Sequence, residues 1–285
     1  MPVSSNSTNS GPTTSCAFAL SQVCYRYPSG AIALDGISFT VSQGEKVALI
    51  GANGCGKSTL VKLLDGLIFA QEGIVEAFAE PLTEERLRDE QTAFRFRRRV
   101  GFIFQNSDAQ LFSPTVREEI AFGPLQMGLS QDEVERRIDD IAHLLEIRKL
   151  LERSPFQLSG GEKKKVAIGC TLAINPDVIL LDEPTNGLDP RSQRWLVDLL
   201  VRLNAAGKTL ILATHDLDIV HEIADRVLIF SEEHRLAAEC AARDLFADFD
   251  LLMRVNLVHE HMHRHGSLVH SHPHYHSGEH DHTHG

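Results

Sequence analysis

The sequence predicts an α/β fold built on a largely parallel sheet. Short apolar runs of the kind buried on both faces recur along the chain, separated by amphipathic helical text. The first of these runs passes through a glycine-rich loop directly into a helical stretch, so strand, loop and helix follow one another without a linker. At 285 residues and 42% hydrophobic, the chain can bury one sizeable core and carry a small appendage.

In order along the chain, residues 1–15 are rich in Ser, Thr and Asn, bury no apolar surface and read as a disordered tail. Structured text begins near Ala17. Residues 17–27 and 36–41 read as strands, with a turn at Pro28-Ser29-Gly30 between them. Lys46-Val-Ala-Leu-Ile50 is a buried strand, and a helix runs from Lys57 to about Asp65. Val100–Phe104, Val178–Leu181, Thr209–Ala213 and Val227–Phe230 are further buried strands. The helix Ser130–Leu145 opens on a capping box of Ser130 and Glu133. One domain therefore spans 16–238. Residues 239–258 form a short helical segment, and 259–285 a flexible histidine-rich tail.

Composition excludes several classes. A net charge of −11 gives nucleic-acid binding no general electrostatic support, and the basic run Arg95–Arg99 reads as a solvated face. Five cysteines, an odd number with no C-x-x-C pair, argue against a disulfide framework or zinc ribbon and fit a reducing cytosol. No apolar run approaches the ~18 residues of a membrane span, and the N-terminus has neither the basic start nor the apolar stretch of a secretory signal. Any membrane part of the system is expected from other chains.

Gly51-Ala-Asn-Gly-Cys-Gly-Lys-Ser58 fits the phosphate-loop pattern and stands where the physics requires, between a strand and a helix. Its glycines let the backbone wrap phosphates with the amides inward, and the helix N-terminus adds positive potential. Gly51, Asn53, Gly54, Cys55, Gly56 and Thr59 shape this ATP cradle. Lys57 would reach the β- and γ-phosphates and Ser58 would hold Mg²⁺. Alkylation of Cys55 is expected to block ATPase activity unless ATP shields it; the competing reading is an inert filler of a tight turn. Val178-Ile-Leu-Leu-Asp182-Glu183 ends an apolar strand in two carboxylates, Asp182 for the Mg²⁺ shell and Glu183 to polarise the attacking water.

Leu158-Ser159-Gly160-Gly161-Glu162 resembles the signature motif of ABC ATPases. Ser159 and Glu162 have capping-box spacing, and the helix start with its exposed hydroxyl is a second phosphate-binding device. The resemblance covers roughly residues 17–235 and implies a P-loop NTPase fold with an antiparallel β subdomain and a helical subdomain. It implies Tyr27 as the aromatic stacked on adenine (with Tyr25 as the rival position), Gln105 as the glutamine that reaches the Mg²⁺ site, Gly187-Leu-Asp189-Pro190 as the D-loop and His215 as the switch histidine on the γ-phosphate. It also implies a head-to-tail dimer with a second ATPase subunit, a copy or a paralogue. Each ATP then lies between one phosphate loop and the partner's Ser159–Gly161 segment.

Gln105–Val116 together with Ala121-Phe-Gly-Pro124 resembles the energy-coupling-factor importers for cobalt, nickel and vitamins. Residues 242–256 resemble their C-terminal dimerisation segment. That implies work at the cytoplasmic face of the membrane, with a transmembrane coupling protein and a substrate-binding membrane protein as partners. Two features depart from the family: Glu162-Lys-Lys-Lys165 replaces a more Gln/Arg-rich text, and residues 84–99 are slightly long. The tail points to cargo. Of fifteen histidines, eleven lie at His259, His261, His263, His265, His270, His272, His274, His276, His280, His282 and His284, mostly two apart, so an extended chain sets them on one side. Neutral imidazole suits Ni²⁺, Co²⁺ or Zn²⁺ better than Mg²⁺. Nickel or cobalt import is the leading expectation. A vitamin importer with an incidental tail, and a metal-buffering module with regulatory nucleotide binding, are the alternatives.

Overall fold

The structure, a computed structural model, describes residues 15–247, 249–265 and 268–275. Residues 1–14, which include nearly all of the expected N-terminal tail, lie outside them.

Two strands open the chain, β1 (Cys16–Arg26) and β2 (Ile32–Ser42), joined through a tight turn in which the Gly30 amide donates to the Tyr27 carbonyl at 2.8 Å. With β4 (Glu72–Ala77) and β5 (Glu80–Pro81) they form an antiparallel sheet in the order β2-β1-β4-β5. The sequence reading missed β4 because Glu72-Gly-Ile-Val-Glu-Ala77 is short and acidic; pairing with β1 supplies what propensity does not.

The second sheet has the order β10-β9-β3-β8-β7-β6, from β3 (Lys46–Ile50), β6 (Val100–Ile103), β7 (Val178–Asp182), β8 (Thr209–Ala213), β9 (Arg226–Phe230) and β10 (Leu236–Ala241). All its neighbours pair in parallel except β10, which runs antiparallel to β9. The near-continuous apolar text of β3, β7 and β8 follows from burial on both faces.

Helix α1 (Lys57–Leu64) follows β3, α2 (Glu84–Leu87) and α3 (Glu90–Arg99) precede β6, and α7 (Pro190–Ala205) and α8 (Leu217–Ile223) flank β8. Between β6 and β7 lies a helical layer of α4 (Val116–Gln126), α5 (Gln131–Leu144) and α6 (Gly160–Ala173), packed through Ile120, Ile138, Ile141 and Val166. The Ser130–Glu133 capping box is present at α5. On α3, Arg95, Arg97 and Arg98 are solvated as read, whereas Arg99 lies over the Phe78 ring at 3.4 Å and pairs with Asp177 at 2.7 Å.

The C-terminal segment is not a separate body. Strand β10 crosses the expected boundary at 238, because its alanine-rich text is held extended by pairing with β9. Beyond it, a 3-10 turn at Ala242–Ala247 and α9 (Phe249–Arg254) cover one face of the sheet, with Leu245, Leu252 and Val255 against Ile50 and Ile229. Past this, β11 (Val258–His265) and β12 (Leu268–Tyr275) pair antiparallel as a two-stranded sheet of their own. An isolated two-stranded ribbon is only marginally stable in water, which agrees with the flexible-tail reading of these residues. Residues 276–285 lie outside the description. Among the described residues no helix is long and apolar enough to cross a membrane.

Candidate active site

Register brings the chemistry to one edge of the parallel sheet. Leu49 and Asp182 are both paired with Ala213, and Leu181 with Ile103, so the loops after β3, β6, β7 and β8 leave the sheet side by side. The carboxyl ends of parallel strands are where open α/β sheets place ligands.

The loop after β3 wraps a cleft of about 610 Å³, within the range of small-molecule sites. Two glycines are required by close approach. A Cβ on Gly51 would stand 2.7 Å from the Phe230 carbonyl oxygen, and one on Gly56, at φ 114°, would stand 2.2 Å from that of Ala33. Gly54 has the opposite character, with open space where a Cβ would be. Lys57 is 5% exposed and turns its ammonium onto its own loop, 2.7 Å from the Gly51 carbonyl oxygen and 3.1 Å from that of Ala52. Asn53, Gly54, Gly56, Lys57, Ser58 and Thr59 line the cleft; Gly51 and Cys55 do not. The Cys55 side chain is part of the hydrophobic core, and burial pushes its thiol upward despite the nearby Lys57. That overturns the alkylation expectation, since a buried neutral thiol is a poor nucleophile.

The Ser58 hydroxyl donates to Asp182 Oδ1 at 2.8 Å. A hydroxyl and a carboxylate side by side are hard oxygen donors, so the residues present fit Mg²⁺. Desolvation raises the Asp182 carboxyl, against the hydrogen bond from Ser58. Glu183, next in sequence, is 6% exposed and holds a left-handed φ of 42°, a strained backbone for a residue with a Cβ. Its amide donates to the Ala213 carbonyl at 2.8 Å, and its carboxylate meets His215 Nδ1 at 3.0 Å. The Thr214 hydroxyl donates to Glu183 Oε2 at 3.3 Å. The hydrogen bond to Glu183 raises the His215 imidazolium against the opposing effect of burial.

Tyr27, not Tyr25, reaches the cleft: Tyr25 packs against the core, while Tyr27 is 37% exposed and lies 2.8 Å from Thr59 through their hydroxyls. Gln105 also lines the cleft, from the loop after β6. Besides Ala31, Ile32 and Ala33, two polar lining residues escaped the sequence reading. Asn186 lies three positions beyond Glu183 and carries no spacing signal of its own. His234 sits in the β9–β10 turn at φ 62°, where no motif marks it. Ser159, Gly160 and Gly161 are absent from the lining. They open α6 with the full Ser159–Glu162 capping box, and a Cβ on Gly160 would meet open space. Of the eleven tail histidines, His276, His280, His282 and His284 lie outside the described residues.

The ABC transporter family model matches residues 34–186. An ABC transporter ATP-binding protein of Methanosarcina acetivorans is 50% identical over 94% of this chain and 98% of its own length. The nickel import ATP-binding protein NikO of Rhodobacter capsulatus is 45% identical over 85% of this chain and 96% of its own. Among solved structures, cbiO1 of Clostridium perfringens, part of the transporter complex cbiONQ, superimposes with a TM-score of 0.73 at 34% identity, covering 85% of this chain and 95% of that one. A dimeric post-hydrolysis state of the cassette MJ0796 bound to ADP and Pi gives 0.71 at 28% identity, over 79% of this chain and 99% of that one. With a phosphate loop, a paired Glu and His and a separate signature helix on one cassette fold, this chain belongs to the ATP-hydrolysing ABC transporter ATP-binding proteins.

Proposed function

We propose that the chain powers uptake of nickel or cobalt as the ATPase subunit of an energy-coupling-factor type importer, working at the cytoplasmic face of the membrane. The observation that carries the shared-site part is that Ser159–Gly161 stand outside the cleft holding Lys57 and Glu183. A second ATPase subunit, a copy or a paralogue, would bring its own signature helix to the γ-phosphate end of this cleft.

In the working site Tyr27 stacks on adenine, and the loop amides of 53–59 with Lys57 hold the phosphates. Ser58 and Asp182, with Gln105, would hold Mg²⁺, which when bound neutralises phosphate charge. Glu183 accepts a proton from the attacking water, and His215, held by Glu183 between turnovers, turns to the γ-phosphate. The membrane coupling protein has a fitting surface in the groove between α3 and α4, where Phe94 and Phe122 are exposed beside Arg97 and Arg98. A substrate-binding membrane protein completes the importer.

Two observations support the metal cargo. The relative from Rhodobacter capsulatus is a nickel import protein by name. On the β11–β12 ribbon, His259 is in register with His274, His261 with His272 and His263 with His270, so histidine positions pair across the strands along one face. Ni²⁺, Co²⁺ or Zn²⁺ held there would be released below about pH 6.5, where imidazole protonates. The test is uptake of nickel, cobalt and zinc by cells carrying wild-type or E183Q protein. Loss of one metal in E183Q cells alone names the cargo. Unchanged uptake of all three refutes the metal reading and favours a vitamin cargo.

A further inference from the structure

We propose that Lys164 is a positioning residue that ties the loop carrying Gln105 to the helix carrying Ser159–Gly161, so that engagement of one nucleotide site of the dimer sets the geometry of the other. The proposal rests on the shared-site reading above and adds the physical link between its two halves.

Lys164 lies on α6 and is 3% exposed. A lysine is kept at such burial only when its ammonium is compensated. Its Nζ donates to the carbonyl oxygens of Phe104, at 3.0 Å, and Gln105, at 3.2 Å. Sheet pairing of β6 ends at Ile103, so the next two carbonyls have no strand partner and the ammonium takes them over. Burial draws Lys164 down to about 8, with the Asp182 carboxylate acting in the opposite direction. Neighbouring contacts run along the same side of α6. Lys163 Nζ meets Asp108 at 2.6 Å, and the Thr171 hydroxyl donates to the Phe102 carbonyl at 3.3 Å.

The geometry makes a short lever. Gly160 and Lys164 are four residues apart, about one turn or 6 Å along the helix. Ser159, capped by Glu162, and Gly160 are exposed at the helix start, within reach of a second chain, whereas Lys164 reaches back to the backbone of the residue that lines this chain's own cleft. A shift of α6 on docking the partner's nucleotide therefore moves Gln105 directly, without passing through the sheet. The lysine-rich text that departs from the family after the signature is the part of α6 that makes these contacts.

The experiment compares wild type, K164M and K164R for ATP affinity of the isolated chain, melting temperature and the dependence of ATPase rate on ATP concentration. The expected result is a wild-type Hill coefficient above 1 that falls to 1 in K164M. The rate should drop about tenfold, the ordinary size of coupling between sites, while ATP affinity of the isolated chain is retained. K164R, which keeps donors for both carbonyls, restores the coefficient. A wild-type coefficient of 1, or a K164M coefficient equal to the wild type's, overturns the proposal. If K164M does not fold, the exposed pair serves instead: K163D should lower the coefficient and K163D with D108K should restore it, and no change in K163D overturns the relay. Recovery of activity on mixing K57A with S159R chains tests the shared site separately, so a failed relay and a failed dimer are told apart.

Discussion

His215 Nδ1 stands 3.0 Å from both carboxylate oxygens of Glu183, joining the loops after β7 and β8 across 32 residues of sequence. The contact raises the imidazole above its ordinary value of about 6.5. A raised histidine stabilises the fold fully below the unfolded value, and that stability is lost as pH climbs through the raised one. NMR titration of the nucleotide-free chain should find His215 above about 6.5 and moved down toward it in E183Q. An identical midpoint in both chains would break the assignment of the shift to Glu183.

The same substitution bears on catalysis. E183Q should bind ATP normally and hydrolyse it roughly 10²–10⁴-fold more slowly, the usual contribution of a positioned base. Hydrolysis within tenfold of wild type would remove Glu183 from the base role.

Because the signature segment lies outside the chain's own cleft, two defective chains should repair each other. K57A loses charged hydrogen bonds to phosphate of ~1.5–3 kcal/mol each and should bind ATP at least tenfold more weakly. S159R should bind ATP but not hydrolyse it. A mixed dimer holds one intact site, so mixing should recover part of the wild-type rate. No recovery, with heterodimers verified by mass, would rule out the head-to-tail site.

Gly56→Ala places a Cβ against the Ala33 carbonyl at a left-handed φ, whereas Gly54→Ala meets only the φ restriction. G56A should cost ~2 kcal/mol or more, from overpacking added to backbone strain, and G54A less. Thermal melts rank the two; equal melting temperatures would contradict the clash.

Cys55 is 2% exposed with a raised thiol. Iodoacetamide at neutral pH should leave it unmodified in the folded chain and modify it after unfolding, with peptide mass spectrometry as the readout. Rapid labelling of the native protein would place the thiol in the cleft after all.

Local features were legible because they are written in consecutive residues. The phosphate loop, the capping boxes at Ser130 and Ser159 and the buried strands depend on spacing and periodicity alone, and all stand where the sequence placed them. The sequence by itself determined which loops carry the chemistry. Tertiary structure decided which way their side chains turn and what they meet. It set Ser58 against Asp182 across 124 residues, chose Tyr27 over Tyr25, turned Cys55 inward and brought His234 to the cleft. It also carried β10 past the expected domain boundary and gave Lys164 the orphan carbonyls after β6. These outcomes depend on strand order and on burial between segments distant in sequence, which hydrophobic period does not encode.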